Sequence, residues 1–163
     1  MHFTMIKKII EYRSSFSLLK WVNSRNKHFG RYILYSVSHA EEKEIQNSSI
    51  KLEEKEYPLF ECYGKDTNDQ YTYLILTTHF LTSIVNNITY KVDIESISFE
   101  MEIDDLIESR KRRKDYIEYV CYELKTTNET IPIWVECGVC ENILWGIFNQ
   151  LNFLKGKYGI TNN

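Results

Sequence analysis

Long apolar runs are missing from this chain of 163 residues. No stretch reaches the roughly eighteen apolar residues that a membrane-crossing helix needs, so none is expected. Lys7 and Lys8 precede Ile9 and Ile10, but Glu11, Tyr12 and Arg13 then break the stretch. It is too short and too polar for a secretory leader. A cytoplasmic location is expected, and with it four reduced cysteine thiols. Glycine and proline are also scarce, six and two respectively, which excludes a collagenous, linker-rich or disordered chain. Catalytic signatures are missing as well. There is no serine nucleophile elbow, no phosphate-cradling glycine loop and no paired-carboxylate motif. None of His2, His28, His39 and His79 stands at metal-binding spacing from another. His79 follows Thr77-Thr78 and is expected in a turn. No cofactor, metal or catalytic residue is expected.

Aromatic residues and acid are present in quantity. Twelve tyrosines contribute to an aromatic share of 14%, suiting half-buried strands and wet interfaces. The net charge of −3 is unevenly spread. Residues 1–31 hold Lys7, Lys8, Arg13, Lys20, Arg25, Lys27 and Arg31 against Glu11 alone, a net of +6, which leaves −9 for the remainder. Asp93, Glu95, Glu100, Glu102, Asp104, Asp105 and Glu108 follow one another with no basic residue between them. Arg110 to Lys114 then form a basic run. A basic head and an acidic body are the pattern to explain.

Along the chain, a first helix is expected over 4–23 and a loop over 24–30. Tyr32 to Val37 fits either a strand or a buried helical turn. Ser38 to Glu41 forms a capping box, so a short helix is expected over 39–47. From Tyr57 onward the pattern is that of strands: 57–63, 71–77, 80–85, 88–92, 96–103, 116–124 and 130–137. Asn86-Asn87 supplies a tight hairpin turn, because asparagine tolerates left-handed backbone. Ile97, Phe99, Met101 and Ile103 are expected on a core face, with Ser96, Ser98, Glu100 and Glu102 on a wet one. Ile131, Ile133 and Val135 share one side of the last strand, opposite Trp134. Ile143, Leu144, Ile147, Phe148, Leu151 and Leu154 form the apolar stripe of a helix over 139–155. Gly156 is placed as its stop, and Gly146 as a point of close backbone packing. Short turns favour antiparallel neighbours. The fold class expected is α+β: a mostly antiparallel β sheet or partly open barrel of about seven strands, closed by a C-terminal helix. Domain limits are expected at 57–156, with a helical N-terminal extension over 1–56 and a tail over 157–163.

The segments Tyr73-Leu-Ile-Leu-Thr-Thr-His-Phe-Leu-Thr82 and Ile88-Thr-Tyr-Lys-Val-Asp-Ile-Glu-Ser-Ile-Ser-Phe99 resemble bacterial pleckstrin-homology-like domains. In those domains an Asp-Ile-x-x-Ile step similarly leads into the next strand, and a final helix plugs one end of the barrel. The resemblance covers 57–155. It implies inositol-phosphate binding through the first strand–strand loop. Here that loop, Gly64 to Asp69, offers Lys65 against Asp66 and Asp69, which disfavours an anionic headgroup.

Cys137-Gly138-Val139-Cys140 stands between a strand and a helix, as a thioredoxin motif does, and a helix N-terminus lowers thiol pKa. A thioredoxin fold needs further strands after the motif, and the remaining chain is mostly one helix. Zinc would need two more ligands, with Cys62 and Cys121 available in strands. Small buried thiols at a strand–helix junction are the simpler expectation. Arg110 to Lys114 lacks interleaved aromatics and follows seven acids, so nucleic acid is disfavoured.

The function expected is non-enzymatic protein binding. A small, acidic-bodied, tyrosine-rich single domain resembles the immunity proteins that neutralise bacterial toxins. The partner surface would be Asp93, Glu95, Glu100, Glu102, Asp104, Asp105 and Glu108, opposite a basic toxin domain. The alternatives are a membrane-associated adaptor using Lys7, Lys8, Lys20 and Trp21 of residues 1–31, and a thiol or zinc protein using Cys137 and Cys140.

Overall fold

A computed structural model describes residues 32–35, 42–101 and 119–157; for 99–101, 139 and 154–157 it describes the backbone alone. The expected helix over 4–23, the basic run 110–114 and the tail from 158 lie outside these residues. Eight strands form two antiparallel sheets. The first sheet is ordered β1 (Tyr32–Leu34), β2 (Pro58–Lys65), β3 (Tyr71–Thr77), β4 (Phe80–Val85), β5 (Ile88–Asp93). The second is β6 (Ile97–Met101), β7 (Tyr119–Thr126), β8 (Thr130–Glu136). One helix, α1 (Val139–Lys157), follows. The mostly antiparallel class and the C-terminal helix are as expected, and among the described residues the two sheets do not close into a barrel.

Turn chemistry sets the first sheet. Asn86 and Asn87 have φ of 55° and 61°, the doubly left-handed turn whose twist matches a two-residue hairpin. Thus Val85 pairs with Ile88, and the ladder runs back to Phe80 against Asp93. Between β2 and β3, Asp66 Oδ1 accepts from the Asn68 and Gln70 N–H groups at 2.9 and 3.0 Å. That turn begins at Asp66, since Gly64 and Lys65 still belong to β2.

The second sheet stacks on the first through β8, which meets β2, β3 and β4. Ile131, Ile133 and Val135 point into the core and are fully buried, as their alternation requires. They meet Phe60, Leu74, Leu76 and Leu81 of the first sheet. Ser83 donates a 2.7 Å hydrogen bond to the Pro132 carbonyl and fixes the stacking. β2 and β8 approach so closely at Gly64 that a Cβ there would lie 2.8 Å from Thr72 Oγ1 and 3.0 Å from the Trp134 carbonyl oxygen. A side chain does not fit, which explains this glycine inside a strand.

Helix α1 seals the core. Ile143, Leu144, Ile147, Phe148 and Leu151 are buried, as the stripe requires. Trp145 packs edge-on to Tyr122, ring centroids 6.0 Å apart, with its indole N–H 3.4 Å from the tyrosine hydroxyl. Gly138, at φ 91°, makes the sharp turn from β8 into the helix.

Three expectations need correction. The helix expected over 39–47 does not run through 43–47. Lys43 has φ 54°, and its ammonium donates to the Glu53 and Glu54 carbonyls instead. Gly146 faces open space, with nothing within 4 Å of a built Cβ, so close packing does not account for it. Gly156 lies within α1, which continues to Lys157. β6 pairs with β7 through a register shift between Ile97 and Met101, where β6 spends more residues than β7, and the side chains expected to alternate over 99–103 lie outside the described residues. Ile97 is fully buried as expected. Tyr32–Leu34 is a strand, and it joins the same sheet as β2.

Candidate functional site

The acidic stretch begins where the two sheets hand over to each other. β5 is an outer strand of the first sheet and β6 an outer strand of the second among the described residues. Between them a single 3-10 turn, Ile94–Ser96, carries the chain from one sheet to the other. Asp93 caps this turn: its Oδ1 accepts from the Glu95 N–H at 2.9 Å, and its carbonyl accepts from Ser96 Oγ at 2.6 Å. Ile94 is the buried pin of the turn. The alternation around it throws Asp93 and Glu95 into solvent. The Thr127 N–H donates to the Ser96 carbonyl at 2.9 Å, so the β7–β8 turn with exposed Glu129 closes on the same corner. Glu100 lies on β6. Glu102, Asp104, Asp105 and Glu108 lie outside the described residues. The structure therefore brings Asp93 and Glu95 together at an exposed corner and leads from there onto the strand that holds Glu100.

A second cluster escaped the sequence. Glu61 of β2 is fully buried. Tyr35 donates to its Oε1 at 2.9 Å, and the Tyr73 hydroxyl donates to its Oε2. The Gln46 N–H lies 3.0 Å from both oxygens and the Asn47 N–H 3.2 Å from Oε2. Among the described residues, four donors thus converge on one carboxylate, none of them cationic. Burial, with the Glu61 charge behind it, pushes the Tyr35 and Tyr73 phenols far above their ordinary range and raises Tyr63 as well. Glu56, also buried, accepts from Thr77 Oγ1 at 2.6 Å and from the Glu53 N–H at 2.9 Å. These two carboxylates clamp the segment 45–57 onto the outer face of β2 and β3. That face is buried here too, with Tyr73, Ile75 and Thr77 at 4% exposure or less. The chemistry is that of an anchor: an acceptor-only group meeting fixed donors.

The Cys-x-x-Cys spacing has a packing cause. Gly138 turns the chain, and the first turn of α1 then drives Cys140 into the core at 1% exposure. There it meets Cys62, whose thiol is held well above its ordinary range by the hydrogen bond to Cys140 and by burial. Cys121 is raised to about 11 by burial and the nearby Glu123 charge. Cys137 is half-buried. None of the four cysteines is joined in a disulfide. Among the described residues, no group of three or more His, Cys, Asp or Glu is arranged to hold a metal ion. His79 is in the expected turn, its Nδ1 2.7 Å from Thr78 Oγ1. No helix among the described residues is long and apolar enough to cross a membrane.

No family model, no curated protein and no solved structure matches this chain.

Proposed function

We propose that this chain is a non-enzymatic binding protein, an immunity protein on a pleckstrin-homology-like scaffold, which occludes the active site of a basic toxin domain in the cytoplasm. The observation that carries the reading is the position of the acidic stretch. Exposed Asp93 and Glu95 sit at the corner between two outer strands, and Glu100 follows on the second of them. A like-charged ridge beside strand edges attracts a basic surface at long range and penalises acidic ones. The scaffold reading is supported by the order of the elements: a meander ending in β5, a three-stranded meander, and one closing helix.

Many toxin domains act on nucleic acid and hold phosphate with Lys and Arg. An acidic ridge of this kind competes for the same side chains. The test is titration calorimetry against a toxin domain encoded beside this chain. A 1:1 complex is expected, with association that slows steeply as salt rises. Glu100→Lys with Glu102→Lys should weaken it at least tenfold. Unchanged affinity in that double variant would remove the acidic-ridge mechanism.

A further inference from the structure

β5 has an open side whose chemistry is defined residue by residue. The hairpin closes on Val85 and Ile88, and the Ile94 N–H donates to the His79 carbonyl at 2.9 Å. Bonded and non-bonded pairs alternate along an antiparallel ladder. Tyr90 and Val92 therefore exchange hydrogen bonds with Ser83 and Leu81. Thr89, Lys91 and Asp93 turn their N–H and C=O groups away from β4. Among the described residues no strand takes them up. The side chains of these three residues are exposed on one face, while Val92 is buried on the other. The Lys91 ammonium sits 4.0 Å from the Phe80 ring centroid, folded back over its own sheet instead of reaching across the edge.

A strand pairing antiparallel with this edge meets a cation at Lys91 and, two residues on, an anion at Asp93. Its own charges must be the reverse. β5 itself satisfies that condition when a two-fold axis passes through Val92, because Lys91 of each copy then stands opposite Asp93 of the other. Centring on Lys91 would set two ammonium groups face to face, and centring on Tyr90 would oppose Lys91 with Thr89. We propose that β5 pairs edge to edge with β5 of a second copy of this chain, in the Lys91–Asp93 register. The Glu95 N–H occupies one Asp93 carboxylate oxygen, which leaves the other for the second copy's lysine. The Asp93 carbonyl already accepts from Ser96 Oγ and has a second lone pair for the ladder. An edge of six residues buries far less than the roughly 1,000 Å² of a stable interface, so the pairing is weak and concentration-dependent. It does not depend on the toxin reading, although the two would compete at Asp93.

Sedimentation equilibrium of the full chain, from micromolar to millimolar, tests it. The mass should rise from monomer toward dimer. Lys91→Glu and Asp93→Lys should each weaken association about tenfold or more, by setting like charges opposite. An equimolar mixture of the two variants should associate again, since each supplies the charges the other lacks. Lys91→Pro removes an outward N–H without touching the β4 ladder and should also abolish pairing. Asp93→Lys loses the cap of the 3-10 turn. If circular dichroism shows it unfolded, Asp93→Asn retains the acceptor and should still weaken pairing. A chain that stays monomeric throughout leaves the edge to solvent or an unlike strand, and overturns the proposal. So does a dimer that survives Lys91→Glu or Lys91→Pro, or a mixture no more associated than its parts.

Discussion

Replacing Glu61 should cost more than any surface carboxylate and should expose its cause. Four donors end on this side chain, two of them hydroxyls of residues 4% exposed. Glu61→Leu strands Tyr35, Tyr73 and the Gln46 and Asn47 N–H groups. Each stranded buried donor costs about 1–3 kcal/mol, and the N–H groups sit at the lower end because they are part-buried. The carboxylate's own desolvation penalty, relieved by the change, offsets some of this. A net loss of about 3–5 kcal/mol follows. Glu61→Gln retains one acceptor oxygen but presents N–H to the backbone donors, for about 2–3 kcal/mol. At about 3 °C per kcal/mol for a chain of this size, Tm should fall about 10 °C in the leucine variant. Thermal melts and urea titration measure both. A double-mutant cycle with Tyr73→Phe should show coupling of at least about 1 kcal/mol. The same network sets alkaline stability. The Tyr35 and Tyr73 phenols are raised in the folded chain, so the folded state retains two protons that the unfolded state releases near pH 10.0. Their contribution is complete below that pH and is lost as pH rises above it, at about 1.4 kcal/mol per pH unit for each phenol. If Glu61→Gln melts within about 1 °C of the parent and both phenols ionise near their ordinary value, the anchor does not exist.

Three further outcomes follow from the packing. Gly146→Ala should raise stability by about 1 kcal/mol in a denaturant titration, because the helix gains propensity and the new methyl meets open space. Gly64→Ala should lower it by about 1–3 kcal/mol in the same assay, since Thr72 and the Trp134 backbone must move apart. In alkylation kinetics with iodoacetamide, Cys121 should react far more slowly than a free thiol at neutral pH, its pKa being raised to about 11, with the rate still climbing at pH 10.

Much of the fold was legible because strand and helix periods differ. Ile131, Ile133 and Val135 announce a half-buried strand, and the stripe from Ile143 to Leu151 a covering helix; all are buried. Asn86-Asn87 announces its hairpin. Glu61 was not legible. Alternation groups it with Leu59 and Tyr63, opposite Phe60 and Cys62, which reads as a wet position. Its cover comes from 45–57, a polar segment that docks by hydrogen bonds and carries no periodic apolar signal. Gly146 misled for a related reason: its exposure depends on which way α1 is rotated, and the stripe sets that rotation. The charge of the acidic stretch was evident from composition, while its place at the corner between two outer strands depends on long-range pairing that no local pattern records.

Amide hydrogen exchange in the presence of the basic toxin domain proposed as partner tests the binding account most directly. Slowed exchange should concentrate from Asp93 through Glu108, with Glu100→Lys plus Glu102→Lys abolishing it. Protection confined to α1 or to the Asp66–Gln70 turn, with the acidic stretch exchanging as in the unbound chain, would contradict it.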